Sequence, residues 1–183
     1  MINFKNKKIY GWSKSSYSEC SYLETSNIEQ IVETFDFAKK NNSKIIFRGG
    51  GRSYGDNTLN KNNIVLKFIS EKNIYSFNEL DGEIIASGSC RLVDLLKFII
   101  PKGWILNVSP ASQFITIGGA ISNNVHGKNC TAKGYFGDYV DEIEILTPDK
   151  GLIICTKLVN SELFYSAINI FVSYDIAFFK DIS

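Results

Sequence analysis

The sequence holds one histidine, His126, among its 183 residues, and three prolines. A single imidazole argues against a histidine-based metal centre and leaves a Ser-His-Asp triad hard to build. The four cysteines, Cys20, Cys90, Cys130 and Cys155, stand far apart with no CxxC pair, so they do not read as a zinc site. No metal is expected. An apolar leader is also lacking, because Ile2, Asn3 and Phe4 run straight into lysines. The thiols are therefore expected to be reduced, in the cytoplasm. No apolar run approaches the ~18 residues that span a bilayer. Charge of one sign is lacking too: 20 Lys and Arg stand against 19 Asp and Glu. With no basic stripe, no nucleic-acid footprint is indicated. The lysines of "FKNKK" read as a short solvated arm. No internal repeat or low-complexity linker is visible.

What is present is 44% hydrophobic residues, enough for one sizeable core or two small lobes. After Thr25-Ser26-Asn27, a cluster of helix-capping residues, "IEQIVETFDFAKKNN" has apolar residues at helical spacing and ends at Asn41-Asn42. "KIIF" reads as a short buried strand. "NIVLKF" and "NIYSFN" read as further strands. In "ELDGEIIASG", Asp81-Gly82 suits a two-residue type I′ hairpin. "RLVDLLKFII" is an amphipathic helix stopped by Pro101 and Gly103. "DEIEILTPDKGLIICT" reads as a second hairpin around Pro148, whose fixed φ suits a type I turn. The fold class expected is α+β in two lobes, residues 1–103 and residues 104–183, the second lobe beginning near Trp104.

"IIFRGGGRSYGDN" carries three consecutive glycines at the end of an apolar run. A Walker A loop would need a lysine where Asp56 follows Gly55, and it is absent. A Rossmann fingerprint starting at Gly49 meets Tyr54 at its third glycine position. Starting one or two residues later, it meets Arg52 or Ser53 at its second. What remains is a glycine nest, in which several N–H groups point into one concavity suited to a pyrophosphate. Ser53 adds a hydroxyl. Arg48 and Arg52 supply charge, or pair with Asp56 or another carboxylate. Tyr54 stacks on a ligand or packs. The alternative is a tight turn without a ligand.

A second stretch, "TIGGAISNNVHGKN", has the same character, with a helix start after Gly118-Gly119 whose N–H groups would face an anion. Two such cradles suit a long ligand with several polar segments, a dinucleotide rather than a single phosphate.

"RGGGRSYGDN", "SPASQFITIGGAISNNVHGKN", "GYFGDYVDEIEILTPDKG" and "NSELFYSAI" occur in an order and spacing that resemble the FAD-binding domain of the vanillyl-alcohol-oxidase / p-cresol methylhydroxylase (PCMH) superfamily. Within it they are most similar to the decaprenylphosphoryl-ribose-oxidase type of FAD-linked oxidases. The likeness runs over roughly residues 10–168. It implies a two-lobed PCMH-type fold, with a small mixed-sheet lobe followed by an antiparallel-rich lobe with flanking helices. It also implies a cofactor, FAD. The loop Phe47, Arg48, Gly49, Gly50, Gly51, Arg52, Ser53, Tyr54, Gly55, Asp56 and Asn57 would wrap the pyrophosphate. Ala111 and Ser112, then Thr116, Ile117, Gly118 and Gly119, would line the cofactor. Asn123, Asn124, Val125 and His126, with Gly127 and Asn129, would continue that wall.

Members with covalent flavin often carry a histidine in the glycine loop; here the place is Arg52, so non-covalent FAD is expected. Cys130 is expected to be a free, partly buried thiol rather than a thioether to flavin. His126 orders the loop in one reading and acts as acid or base in the other; the first is favoured, because flavins perform the redox step themselves.

The resemblance implies oxidation of a hydroxyl on a sugar or polyprenyl-phosphate-linked sugar, by hydride transfer to FAD. Alternatives are a flavin-binding fragment without turnover alone, or an alditol- or lactone-oxidase-type flavoenzyme. No catalytic residue is assigned, because the substrate-cap part expected to carry it lies beyond Ser183 or on a partner chain. The expected place is the cytoplasm or, as a peripheral protein, the inner membrane face. After "NSELFYSAI" such proteins have a glycine-rich turn; "NIFVSYDIAFFKDIS" has none. That tail reads as a strand of altered sequence or a truncated end, with "IFVSYDIAFF" as a sticky segment.

Overall fold

A computed structural model describes residues 2–169 and 177–180. The chain divides into two compact units, residues 1–69 and residues 70–183.

The first unit is a mixed four-stranded sheet with one helix. Strand β1 (Lys5–Tyr10) pairs antiparallel with β2 (Tyr17–Thr25). The lysines expected to form a solvated arm thus lie on an ordered edge strand, where only Ile9 is buried. Helix α1 (Ile28–Lys40) starts where Asn27 Oδ1 accepts from the N–H groups of Glu29 (2.7 Å) and Gln30 (3.3 Å). Ile31, Phe35 and Ala38, spaced four and three apart, form its buried stripe. Lys39 and Lys40 sit in the last turn, favourable to the helix dipole. Asn41 ends the helix, donating from Nδ2 to Phe37 O (2.8 Å), and Asn42 turns to φ +49°.

Strands β3 (Ile45–Phe47) and β4 (Ile64–Phe68) follow. The sheet order is β1-β2-β4-β3, with β4 parallel to both β2 and β3. A parallel pair cannot be closed by a tight turn. The glycine loop is therefore part of the crossover from the end of β3 to the start of β4. Asn60 pins the far end of that crossover: its Nδ2 donates to Lys44 O (3.0 Å) and Ile64 O (2.9 Å).

The second unit holds β5 (Ile74–Phe77), β6 (Ile84–Ser87), α2 (Leu92–Ile99), α3 (Ile117–Ser122), α4 (Cys130–Lys133), β7 (Glu142–Thr147), β8 (Gly151–Thr156), α5 (Ser161–Asn169) and β9 (Ala177–Lys180). Its sheet runs β5-β6-β9-β7-β8 and every neighbour pair is antiparallel. Leu92, Leu95 and Ile99 of α2, Ile117 and Ile121 of α3, and Phe164 and Ile168 of α5 share one buried core with Ile84, Ala86, Ile143 and Ile145 of the sheet.

The α+β class and the sequence of a mixed sheet followed by an antiparallel one agree with expectation. The boundary does not fall near Trp104 but between Ile69 and Ser70. The reason is pairing: β5 and β6 hydrogen-bond into the same sheet as β7–β9, and α2 buries its stripe in that sheet's core. The Asp81-Gly82 hairpin also differs from a type I′ turn. Six residues separate β5 from β6, Gly82 N–H donates to Asn78 O (2.9 Å), and Gly82 has φ +82° while Asp81 is not among the left-handed residues. Trp104 lies where a Cβ on Gly82 would project, so glycine is required there. The tail does form a strand at β9; the rest of the sticky segment and its side chains lie outside the described residues.

Candidate cofactor site

In the first unit the glycine loop leaves β3 at Phe47. Phe47 is half-buried and its ring packs edge-on against Phe35 of α1 (6.1 Å), so it anchors the loop's start. Arg48 N–H continues the ladder to Leu66 O (2.8 Å). Beyond it the backbone stops pairing. Among the described residues, the N–H groups of Gly49, Gly50, Gly51, Ser53, Tyr54 and Gly55 meet no acceptor of the chain. Peptide N–H groups left over in this way are either solvated or held for a ligand. Gly51 (φ +63°) and Gly55 (φ +66°) are left-handed while their neighbours are not, so the backbone changes the sign of φ at two points four residues apart, the local turn from which a backbone nest is built. Asp56 and Asn57 are exposed, and Asp56 O accepts from Leu59 N–H (2.7 Å), closing the loop's last turn.

Arg48 does not pair with Asp56. Its Nη1 donates to Thr58 Oγ1 (2.8 Å) and Thr58 O (3.1 Å), and its Nη2 to Tyr10 O (2.8 Å). A Cβ on Gly51 would come within 2.6 Å of that Nη2. Arg52 is exposed on the loop.

The β1–β2 connection also reaches this loop, and nothing in the sequence signals it. A Cβ on Gly11 would lie 2.6 Å from Gly55 O and 3.0 Å from Ser16 Oγ. Ser16 Oγ is itself buried and meets no hydrogen-bond partner among the described residues. Trp12 meets Tyr54 edge-on at 5.9 Å, and Tyr54 is 80% exposed. Gly11, Trp12 and Ser16 thus border the loop together with the expected residues. Residues 1–69 carry 11 Lys and Arg against 6 Asp and Glu, so the unit that offers the free N–H groups is also the cationic one.

In the second unit the expected wall is ordered differently from the sequence-based picture. Thr116 caps α3, its Oγ1 accepting from Gly119 N–H (3.2 Å). Ile117 N–H donates to Cys90 O and Gly118 N–H to Gly88 O, both at 2.8 Å. The N–H groups expected to face an anion are therefore used by the loop after β6. A Cβ on Gly118 would lie 3.1 Å from Gly88 O, so the glycine serves a close backbone crossing. Ala111 is exposed and Ser112 half-buried, with Ser112 Oγ accepting from Phe114 N–H (3.3 Å). Asn123 is exposed and ties Nδ2 to Gly119 O (2.8 Å). Asn124 (φ +39°) accepts from Gly137 N–H (2.9 Å), and Val125 O accepts from Phe136 N–H (2.9 Å). His126 is exposed; its backbone bridges to Tyr135, its ring meets the Tyr135 ring edge-on (6.2 Å), and Nδ1 lies 3.3 Å from Gly127 O. Gly127 passes close to Ser109 O, and Asn129 Nδ2 donates to Asn107 O (2.9 Å).

None of the four cysteines is in a disulfide; Cys130 is half-buried and the others are buried. Among the described residues no group of three His, Cys, Asp or Glu could hold a metal, and no helix is long and apolar enough to cross a membrane. Burial, with Asp94 adding, pushes the Cys90 thiol from 9.0 up to about 12. Raising the folded value makes this contribution to stability complete below pH 9 and lost as pH rises towards 12. The urea midpoint is therefore expected to fall above pH 9, and Cys90→Ala to flatten that fall; an unchanged slope in the variant would refute it.

A family model described as FAD binding domain matches residues 21–156. The chain is 32% identical over 164 residues to decaprenylphosphoryl-beta-D-ribose oxidase of Mycolicibacterium smegmatis, covering 88% of this chain and 36% of that protein. It is 24% identical over 174 residues to bovine L-gulonolactone oxidase, covering 90% of this chain and 37% of that protein. Among solved structures it is similar to a variant of BBE-like 1 from Physcomitrella patens, with TM-score 0.79 and 19% identity over 90% of this chain and 37% of that one; this likeness concerns the fold. The chain thus spans little more than a third of the length of the relatives it matches. The unpaired N–H run, the glycine whose Cβ would strike Arg48 and the cationic surroundings fit a diphosphate-containing cofactor, and by the family match over residues 21–156 the chain belongs to the FAD binding domain family.

Proposed function

We propose that this chain is the FAD-binding part of an oxidoreductase acting on a hydroxyl-bearing carbon of a sugar or polyprenyl-phosphate-linked sugar, with FAD held non-covalently. The observation that carries the proposal is that, among the described residues, the N–H groups of Gly49, Gly50, Gly51, Ser53, Tyr54 and Gly55 meet no acceptor of the chain. Bound FAD would supply the hydride acceptor for the substrate carbon.

The chain's own residues bind and orient. Gly49, Gly50, Gly51, Ser53, Tyr54 and Gly55 donate N–H groups to the diphosphate, and the Ser53 hydroxyl and the exposed Arg52 add to its neutralisation. Tyr54, edge-on to Trp12, offers its exposed ring for packing against the ligand. Ala111, Ser112, Asn123 and His126 line the cofactor by surface contact. Gly119 O holds Asn123, accepting from its N–H and its Nδ2, while the N–H groups of Ile117, Gly118 and Gly119 are themselves taken. The Tyr135 contact supports the loop-ordering role for His126 over that of acid or base.

With Arg52 in the loop and Cys130 on the short α4, neither side chain is assigned a bond to flavin. Purified chain is expected to show a flavin spectrum, and acid precipitation is expected to release the yellow colour into the supernatant. Colour left in the pellet would overturn non-covalent binding; no flavin at all, even after incubation with FAD, would overturn the proposal.

On this proposal the substrate base and the cap come from a further part of the protein or from a partner chain, a reading supported by the chain's covering only 36% of decaprenylphosphoryl-beta-D-ribose oxidase. A second reading, oxidation of an alditol or lactone, draws on the likeness to L-gulonolactone oxidase. Reduction of the flavin by a free polyol, and not by a polyprenyl-phosphosugar, would favour it. A chain that holds FAD but reduces it with neither, even beside a cap-bearing partner, is a binding fragment.

A further inference from the structure

Arg48 is the most completely engaged side chain near the glycine loop, and its partners are unusual for a cation. All three acceptors, Tyr10 O, Thr58 O and Thr58 Oγ1, are neutral. Among the described residues no carboxylate oxygen forms an ion pair with it. The guanidinium lies behind Gly51: a Cβ there would meet Nη2 at 2.6 Å, Cζ at 3.1 Å and Nε at 3.2 Å. It joins three segments, the β1–β2 connection through Tyr10, the start of the loop through its own backbone, and the loop's end through Thr58. A planar fork with donors on both sides can span these; a lysine cannot. The side chain is half-buried, so its charge is only partly screened by water.

We propose that Arg48 is a positioning residue that clamps the two ends of the glycine loop to the β1–β2 connection and sets a fixed positive charge behind Gly51 for the FAD diphosphate, without being a phosphate ligand itself. This rests on the functional proposal above. It also explains why residue 51 must be glycine: the loop backbone lies against the guanidinium with no room for a side chain.

The test uses the 183-residue chain freed of FAD, titrated with FAD by flavin fluorescence at several salt concentrations, with thermal unfolding recorded without FAD. Arg48→Met is expected to weaken FAD binding at least about tenfold, the scale of one lost charged interaction, and to flatten its salt dependence. Arg48→Lys should keep the salt dependence and recover part of the affinity, since it restores charge but not the span. Thr58→Val should weaken binding in the same direction by a smaller factor. The double variant Arg48→Met with Thr58→Val should bind no worse than Arg48→Met alone, because the hydroxyl acts through the guanidinium.

Binding by Arg48→Met within twofold of the parent, or an unaltered salt dependence, overturns the inference. If melting shows that Arg48→Met does not fold, Thr58→Val decides: unchanged FAD affinity overturns it. A parent chain that takes up no FAD fails the functional proposal first, and the inference falls with it.

Discussion

Gly51→Val is expected to purify without flavin. Two independent effects act at this position. The backbone is left-handed at φ +63°, a conformation costing an L-residue about 1–2 kcal/mol and more for a β-branched one. The new Cβ would also sit 2.6 Å from Arg48 Nη2, so the guanidinium must leave Tyr10 and Thr58 or the loop must swing away from it. Either movement redirects the N–H groups of Gly49 to Gly55. Together the effects should weaken FAD binding on the order of a hundredfold or more, equivalent to roughly 3 kcal/mol. The check is visible flavin absorbance per mole of purified chain, followed by titration with added FAD. A variant as yellow as its parent would remove the basis for the cradle.

Phe164→Ala should cost about 3–5 kcal/mol of stability, the range for deleting a buried aromatic ring. Phe164 is fully buried on α5, in the core shared by α2, α3 and the antiparallel sheet. Its removal leaves a cavity that the fixed helices can fill only in part. Urea unfolding followed by circular dichroism would read the loss as a lower midpoint with a similar slope. A loss under about 1 kcal/mol, below that range, would mean that the core collapses around the gap.

The elements legible in the sequence are those whose signals are local. Asn27 and the spacing of Ile31, Phe35 and Ala38 announce α1, and Asn41-Asn42 announce its end. The three glycines mark a special backbone locally, because consecutive residues without a side chain are costly to order for a mere turn. Strand β1 is silent because only Ile9 of its six residues is buried, which gives no period of two. The lobe boundary is misjudged because β6 pairs with β9 more than ninety residues later, a contact with no local trace. The donors of α3 have the same problem. Whether Gly118 N–H is free depends on Gly88, thirty positions earlier. Gly11 and Ser16 reach the glycine loop only through the register of β1 on β2, and a sequence does not state register.

The crossover between β3 and β4 bears on how binding is divided in time. Parallel strands pair only after the connecting segment has closed. Closure of the glycine loop is therefore one event with formation of the sheet, fastened by Arg48 at one end and Asn60 at the other. Part of the conformational entropy of ordering the loop is thereby lost on folding, and on the proposed function a diphosphate would meet a loop whose two ends are already fixed. What binding would still have to arrange is the stretch between those ends, whose N–H groups the chain itself does not hold.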